Sequence, residues 1–130
     1  MMDGSNMRYS DETVDAVWSK AREAEGLNPD MFRLDPCGAL IMRDKLGKTN
    51  PFGWVPGLVY PEKLGGDDRV ENLRAMHYMN DRSKRDDYPS YTGVVVFDGK
   101  ENVETIRNVT VCQRLRDEIR KIYGNRISDT

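Results

Sequence analysis

Apolar residues at helical spacing predict an α-helix near the start of the chain. Residues 10–13, Ser-Asp-Glu-Thr, are typical of a capped helix N-terminus, and Val14, Val17 and Trp18 fall on one face behind them. The segment Asn-Pro-Asp that begins at residue 28 breaks a helical pattern. We therefore expect the helix to run to about Glu25-Gly26.

Short extended segments are predicted in the next part of the chain. Residues 32–34 and 37–42 alternate loosely between apolar and polar positions around a Pro-Cys-Gly turn, and residues 43–53 are typical of a loop. Residues 54–60 are apolar but contain Pro-Gly at 56–57, which favours a bent or bulged strand.

The middle of the chain predicts a turn followed by a helix. Residues 65–68, Gly-Gly-Asp-Asp, favour a turn, which leads into a predicted helix over residues 70–80. Four residues of this segment fall at helical spacing: Leu73, Met76, His77 and Asn80. The predicted order is therefore strand, loop and helix.

The last part of the chain predicts a β-hairpin and a final helix. Residues 93–97 and 103–106 flank Asp98-Gly99, which is a typical hairpin turn. Asn108 is predicted to cap a helix that ends at Gly124. One face of that helix carries Val111, Leu115, Ile119 and Ile122. The whole pattern predicts an α+β fold, with an N-terminal helix, a bent hairpin and helix, a second hairpin and a terminal helix.

The length and the composition indicate one domain without a membrane segment. The chain has 130 residues and a mass of 14.9 kDa, which is the size of a single domain. We expect a flexible stretch over residues 1–10, one domain over residues 11–125 and a tail over residues 126–130. No apolar run approaches the length that a bilayer requires, and no basic-then-apolar leader is present, so we expect a soluble cytoplasmic protein.

The charge pattern disfavours two classes of protein. The chain has 22 acidic and 20 basic residues, a net charge of −2 and a pI near 5.5. A dedicated nucleic-acid binder usually has a basic excess or a basic face. The two signs are interspersed, so the chain lacks the sustained negative field of a DNA mimic. Charge alone therefore favours a protein partner over nucleic acid.

The two cysteines do not form a metal-binding motif. Cys37 and Cys112 lie far apart in the sequence, and neither belongs to a Cys-x-x-Cys pair, so a zinc knuckle is excluded. We expect both to be buried thiols, and we expect no cofactor.

An ordered set of motifs in the first two thirds of the chain indicates a family. The set consists of Val17-Trp18, Asp35-Pro36-Cys37-Gly38-Ala39, Gly53-Trp54, Pro61, Gly65-Gly66, Asn72-Leu73, Asn80 and Ser83-Lys84. In this order and spacing it resembles the HNH-endonuclease family, which has the ββα-metal fold. The resemblance covers about residues 12–90, and it implies a ββα core.

The resemblance also implies a catalytic site that this chain lacks. In the family, a strand histidine acts as general base, the aspartate before it binds a divalent metal, and a helix His or Asn completes the metal site. Aligning Trp54 and Pro61 with the family's strand places that Asp-His pair at Gly57-Leu58. Glycine has no metal ligand and leucine has no proton acceptor, so we expect a degenerate member of the family that holds no catalytic metal.

Each of the remaining candidate site residues has both a structural and a functional interpretation. Asn72 and Asn80 match polar positions of the family and are vestigial or structural. His77 is the only histidine, and it is either locally hydrogen-bonded or the centre of a rebuilt site with Asp67 or Asp68. Five residues are expected to form a binding surface: Lys84, Arg82, Arg85, Trp54 and Leu58. In particular, we expect Leu58 to border His77, Asn80 and Lys84.

Three functions remain open at this point. The first is an inactive HNH-like binding module for nucleic acid or for a nucleic-acid-processing partner. The second is a protein-protein inhibitor or structural component on the same scaffold, for example a phage-encoded antagonist of a host defence nuclease. The third is an active metal-dependent nuclease rebuilt around His77.

Overall fold

The computed structural model describes residues 8–124 and shows a mixed α+β domain. Within that range, three α-helices pack with three small antiparallel sheets, one of three strands and two of two strands. Of the predicted flexible ends, residues 1–7 and 126–130 lie outside the described residues. Within the described range, no helix is both long and apolar enough to cross a membrane.

The first helix, α1, spans Asp11–Ser19 and begins as predicted. The Ser10 side chain accepts a hydrogen bond from the backbone N–H of Thr13, and Val14, Val17 and Trp18 are buried. The predicted end near Glu25-Gly26 is wrong, because Arg22–Glu23 forms strand β1 instead. The backbone of that strand pairs with a distant segment of the chain, and this pairing ends the helix early.

The first sheet has the order β1-β2-β3, with β2 at Phe32–Leu34 and β3 at Leu40–Met42. Both neighbouring pairs are antiparallel. The prediction of short extended segments around a turn is confirmed. β3 is shorter than the predicted 37–42, because the Asp35 carboxylate accepts hydrogen bonds from the backbone N–H groups of Cys37 and Ala39 and keeps them in the turn.

The second sheet is an antiparallel pair of β4, Trp54–Leu58, and β5, Leu73–His77. The predicted helix over residues 70–80 is therefore wrong over most of its length. Residues 70–72 form a 3-10 turn, β5 follows, and α2 begins only at Tyr78 and runs as Tyr78–Lys84. β5 is covered on both faces, so its apolar residues lack the alternation of a half-exposed strand and match helical spacing by chance.

The last part of the chain contains the predicted hairpin and helix with shifted bounds. β6 is Ser90–Phe97, β7 is Asn102–Thr110, and a bulge interrupts their register between Gly93 and Val95. Asn108 lies within β7, opposite Thr92, so its prediction as a helix cap is wrong. The final helix, α3, is Gln113–Tyr123, with Cys112 as N-cap and Gly124 as the predicted C-terminal residue.

The β4-β5 pair separates two hydrophobic clusters. On one side, Trp54, Leu73 and Ala75 pack against α1. On the other side, Met76 joins a cluster with residues from β6 and α3, including Tyr91 and Ile119. The central hairpin is therefore enclosed by the N-terminal part of the chain and by its C-terminal part.

Candidate functional site

A cavity of about 290 Å³ opens beside the C-terminal end of β4. Gly57 and Leu58 line it, together with residues from the turn after α1, from β5 and from the start of α3. This is the position at which the sequence resemblance predicts a catalytic pair. The structure therefore places Gly57 and Leu58 in the wall of a cavity.

Gly57 faces α2, and the Asp81 carboxylate occupies the space beside it. A Cβ atom at position 57 would lie 2.5 Å from the Asp81 Oδ1 atom and 2.9 Å from the Met76 Cγ atom. Burial raises the pKa of Asp81, although the nearby Lys84 ammonium lowers it. A side chain at position 57 would therefore require both neighbours to move.

Asp81 is a site residue that the sequence did not indicate. It follows Asn80 directly, and successive residues of a helix point about 100° apart, so the helix register decides which of the two faces β4. Because α2 begins at Tyr78, Asp81 faces Gly57 and Asn80 faces β6. The predicted helix start at residue 70 could not reveal this.

Leu58 lies in the cavity wall, and its side chain also packs against the α1 cluster. It is half-buried. Lys84 lines the same cavity, whereas His77 and Asn80 do not. The expected surface around Leu58 is thus formed in part, with Lys84 present and the other two residues elsewhere.

Three further basic side chains line the cavity: Lys20 and Arg22, which lie two residues apart after α1, and Arg74 of β5. The Lys20 Nζ atom donates to the Val70 carbonyl, and burial together with the nearby Arg74 guanidinium lowers the pKa of Lys20. Burial also lowers the pKa of Arg74, whose Nη2 atom is 3.9 Å from the Glu118 Oε1 atom. The charges of Glu71 and Glu118 oppose the lowering of the Lys20 pKa, and the Arg74 Nη1 atom donates to the carbonyls of Glu71 and Leu73.

The basic residues predicted at the end of α2 have different environments. Lys84 is 3% exposed, and its Nζ atom donates to the carbonyls of Val59 and Asp87 at 3.1 and 3.0 Å. Arg82 and Arg85 are exposed, and the Arg82 guanidinium lies 5.1 Å from the centre of the Tyr78 ring. Lys84 therefore holds the fold together, while the two arginines lie outside the cavity.

Asn72 joins the loop after β4 to the start of β5. Its side chain is fully buried, accepts from the Tyr60 N–H at 2.8 Å, and donates to the carbonyls of Tyr60 and Asp67 at 2.9 and 2.8 Å. The structural interpretation made from the sequence is supported by these bonds. Trp54 is also structural, because its ring is buried 5.2 Å from that of Trp18.

Asn80 and Asp35 form a second buried link. The Asn80 Oδ1 atom accepts from the N–H groups of Val94 and Val95 at the β-bulge, and its Nδ2 atom donates to Asp35 and to the Val95 carbonyl. The Asp35 carboxylate also accepts from the His77 N–H at 2.9 Å. This network ties the first sheet, β5 and the second hairpin together, and it leaves Asn80 without a free group for a ligand.

His77 is buried at the junction of β5 and α2. Its Nδ1 atom accepts from the Met79 N–H at 3.1 Å and so caps α2, and its Nε2 atom lies 2.8 Å from the Pro51 carbonyl. The second contact requires a proton on Nε2, because the carbonyl only accepts. Both ring nitrogens are therefore occupied in the neutral imidazole.

The acidic residues proposed as partners of His77 lie elsewhere. Asp67 lies directly after the Gly65-Gly66 turn. Its carboxylate accepts a hydrogen bond from the Tyr123 hydroxyl at 2.6 Å and forms an ion pair with Arg69 at 2.8 Å. This loop connects the Leu58 end of β4 to the Leu73 end of β5, whereas His77 pairs with Trp54 at the opposite end of the hairpin. Among residues 8–124, no group of three or more His, Cys, Asp or Glu side chains could hold a metal ion.

The two cysteines differ in exposure. Cys37 is buried as predicted, and burial raises the pKa of its thiol to about 12. Cys112 is exposed, so the prediction of a second buried thiol is wrong. Its position as the N-cap of α3, at the mouth of the cavity, explains that exposure.

Comparison of the chain with protein-family models, with curated proteins and with solved structures finds no match.

Proposed function

We propose that this protein is a nuclease-like binding module without a catalytic pair, and that it binds nucleic acid through the cavity beside Gly57 and Leu58. The arrangement of β4, β5 and α2 supports an HNH-like ββα core, because two antiparallel strands are followed at once by a helix that faces the first strand. Asn72 and the Gly65-Gly66 turn support it further through their positions in the intervening loop.

The charge of the cavity is the observation that carries this proposal. The chain has a net charge of −2, yet the cavity wall contains four basic side chains and one carboxylate. That carboxylate, Asp35, is 1% exposed and accepts hydrogen bonds from three backbone N–H groups. Lys84 is likewise 3% exposed and donates to backbone carbonyls, so Lys20, Arg22 and Arg74 are the basic side chains that remain for a ligand. The face beside the missing catalytic pair is therefore basic on an acidic protein, which favours phosphate as the bound group.

Among the described residues, no histidine lines the cavity, and the one carboxylate in its wall, that of Asp35, accepts hydrogen bonds from three backbone N–H groups. Leu58 cannot accept a proton, and the only histidine has both ring nitrogens in structural hydrogen bonds. General-base catalysis contributes roughly 10²–10⁴-fold to a rate. We therefore assign binding, and not hydrolysis, to this site.

Salt dependence of binding tests the proposal. The affinity for a fluorescent single-stranded oligonucleotide is measured by anisotropy over a series of salt concentrations. Each phosphate charge that is neutralised on a single strand adds about −0.7 to the slope of log K against log salt. The slope should therefore be negative, and each of Lys20→Gln, Arg22→Gln and Arg74→Gln should make it shallower.

Arg82→Gln is the matched control, because Arg82 is an exposed arginine outside the cavity. It should leave the slope nearly unchanged. Binding that is independent of salt, or an equal loss in the Arg82 variant and the three cavity variants, contradicts the proposed site.

A protein partner is the second candidate function, and one observation favours it. Ile106 on β7 is 86% exposed, and β7 pairs with β6 alone in a two-stranded sheet. An exposed apolar side chain on an edge strand is suited to pairing with another chain. For this function, Ile106→Thr would weaken partner capture, and the binding would show little dependence on salt.

A further inference from the structure

The cavity has the size of a site for one small organic group, and its interior is mostly apolar. Its volume of about 290 Å³ lies just below the roughly 300–1,000 Å³ that small-molecule sites occupy. Leu34, Leu58, Val59, Met76 and Tyr91 supply apolar surface to the wall. Such a cavity accommodates one planar group, and it is too small for several successive nucleotides.

The charge at the cavity matches a doubly charged anion better than a singly charged one. Lys20, Arg22 and Arg74 come from the end of α1, from β1 and from β5. Arg74 and Lys20 repel each other, and burial adds to the cost of their charges. A phosphodiester carries one negative charge, whereas a phosphomonoester carries about −1.5 to −2 at neutral pH. A terminal phosphate would therefore relieve this repulsion more fully than an internal one.

The start of α3 also contributes to the cavity wall. Val111, Cys112 and Leu115 line the cavity, Cys112 gives no side-chain hydrogen bond to the helix, and the first turn holds no acidic residue. The first N–H groups of a helix have no partner within the helix and carry partial positive charge. They reinforce the three side chains and do not define the site by themselves.

We infer that the cavity binds the phosphorylated end of a nucleic-acid strand, with the terminal base in the apolar interior and the phosphate among Lys20, Arg22 and Arg74. This inference rests on the proposed function and makes it specific. The apolar Leu58 is then a feature of the binding site, because it gives the cavity an apolar wall, whereas a side chain at Gly57 would point toward Asp81 and Met76.

The test compares three otherwise identical oligonucleotides, with a 5′-phosphate, with a 3′-phosphate or with hydroxyl groups at both ends. In anisotropy measurements at one salt concentration, the unmodified protein should bind one of the phosphorylated strands about tenfold more tightly, as a charge-assisted hydrogen bond predicts. Arg74→Gln should abolish this preference, whereas Arg82→Gln should retain it.

A cavity-filling variant tests the position of the base. Leu115→Phe should reduce the preference for the phosphorylated strand. If this variant has a lowered melting temperature, Leu58→Phe replaces it in the same measurement. A 5′-mononucleotide should displace the strand at concentrations at which inorganic phosphate does not, because phosphate alone makes no contact with the apolar wall.

The outcomes separate this inference from the proposed function. Equal, salt-dependent binding of all three strands, still sensitive to Arg74→Gln, would overturn end recognition and leave nucleic-acid binding in place. Binding of the mononucleotide without binding of any strand would support the cavity as a ligand site and contradict the proposed function. If neither the mononucleotide nor any strand binds, both this inference and the proposed function are contradicted.

Discussion

Protonation of His77 should destabilise the protein between pH 7.5 and pH 5. His77 is the only histidine of the chain, so no other imidazole titrates in this range. Burial lowers its pKa from the ordinary 6.5, while the hydrogen bond with the Pro51 carbonyl and the charge of Asp35 oppose that shift. The unfolded chain therefore binds the proton first as the pH falls, and stability that is present above pH 6.5 is lost as the pH falls through the folded pKa.

The structure gives the size of this effect. Protonation places a second proton on the imidazole at Nδ1, where the Met79 N–H now donates, so two donors face each other and the cap of α2 is lost. Loss of an N-cap costs about 0.5–2 kcal/mol. Because the folded and unfolded states differ by at most one proton bound to His77, the free energy of unfolding can change by at most about 1.4 kcal/mol per pH unit. We expect the free energy of unfolding to fall by on the order of 1–2 kcal/mol across the range.

Urea denaturation at half-unit steps between pH 5 and pH 7.5 measures this slope, and the imidazole resonances report the pKa of His77 directly. His77→Asn is the control, because asparagine caps a helix well and does not titrate. The His77→Asn variant should have a lower free energy of unfolding at every pH, because it loses the contact with the Pro51 carbonyl. Its free energy of unfolding should also depend less on pH. The same slope in both proteins, or an imidazole pKa at or above 6.5, would refute the reasoning.

Three further predictions concern the frame and the site. Asn80→Ala should lower the free energy of unfolding by about 3 kcal/mol or more, measured by urea denaturation, because it leaves buried donors and acceptors at the β-bulge unpaired; retention of full stability would contradict the assigned network. Gly66→Ala should lower the melting temperature strongly, since its Cβ would overlap the Tyr60 carbonyl, whereas Gly124→Ala, which meets nothing within 4 Å, should be nearly neutral; similar melting temperatures would show that the loop adjusts. The unmodified protein should show neither chelator-sensitive cleavage of DNA or RNA nor a micromolar site for Mg²⁺, Mn²⁺ or Zn²⁺ by calorimetry, because Leu58 offers no proton acceptor and no group of three or more His, Cys, Asp or Glu side chains within residues 8–124 could hold a metal ion; cleavage by a preparation free of host nuclease would overturn this.

Elements with local signals could be predicted from the sequence. The start of α1 is set by the Ser10 cap and by the apolar face behind it, both of which lie within nine residues. The end of α1 depends on the pairing of Arg22 and Glu23 with β2, which the local pattern does not contain. The same limit explains the misassigned segment 70–80, whose strand conformation depends on β4, beyond an intervening loop.

The candidate site could be predicted only in part for the same reason. The resemblance indicated Gly57 and Leu58, and the structure places both in a cavity wall. Lys20 and Arg22 are two residues apart and Arg74 lies in β5, and acidic residues occur near both segments, so no basic run marks the three together. Arg74 reaches the cavity that Lys20 and Arg22 also line only because β5 packs near α1 and β1. The local sequence pattern does not contain this tertiary contact.

The polar residues that most suggested catalysis stabilise the fold. Asn72, His77, Asn80 and Lys84 are each buried, and each uses its polar groups to bind backbone atoms. Because an unpaired buried polar group costs about 1–3 kcal/mol, these residues are constrained by folding whether or not a reaction takes place. Their presence is therefore no evidence for a nuclease. The proposed function uses instead the basic side chains that line the cavity, Lys20, Arg22 and Arg74, of which Lys20 and Arg74 also donate hydrogen bonds to backbone carbonyls.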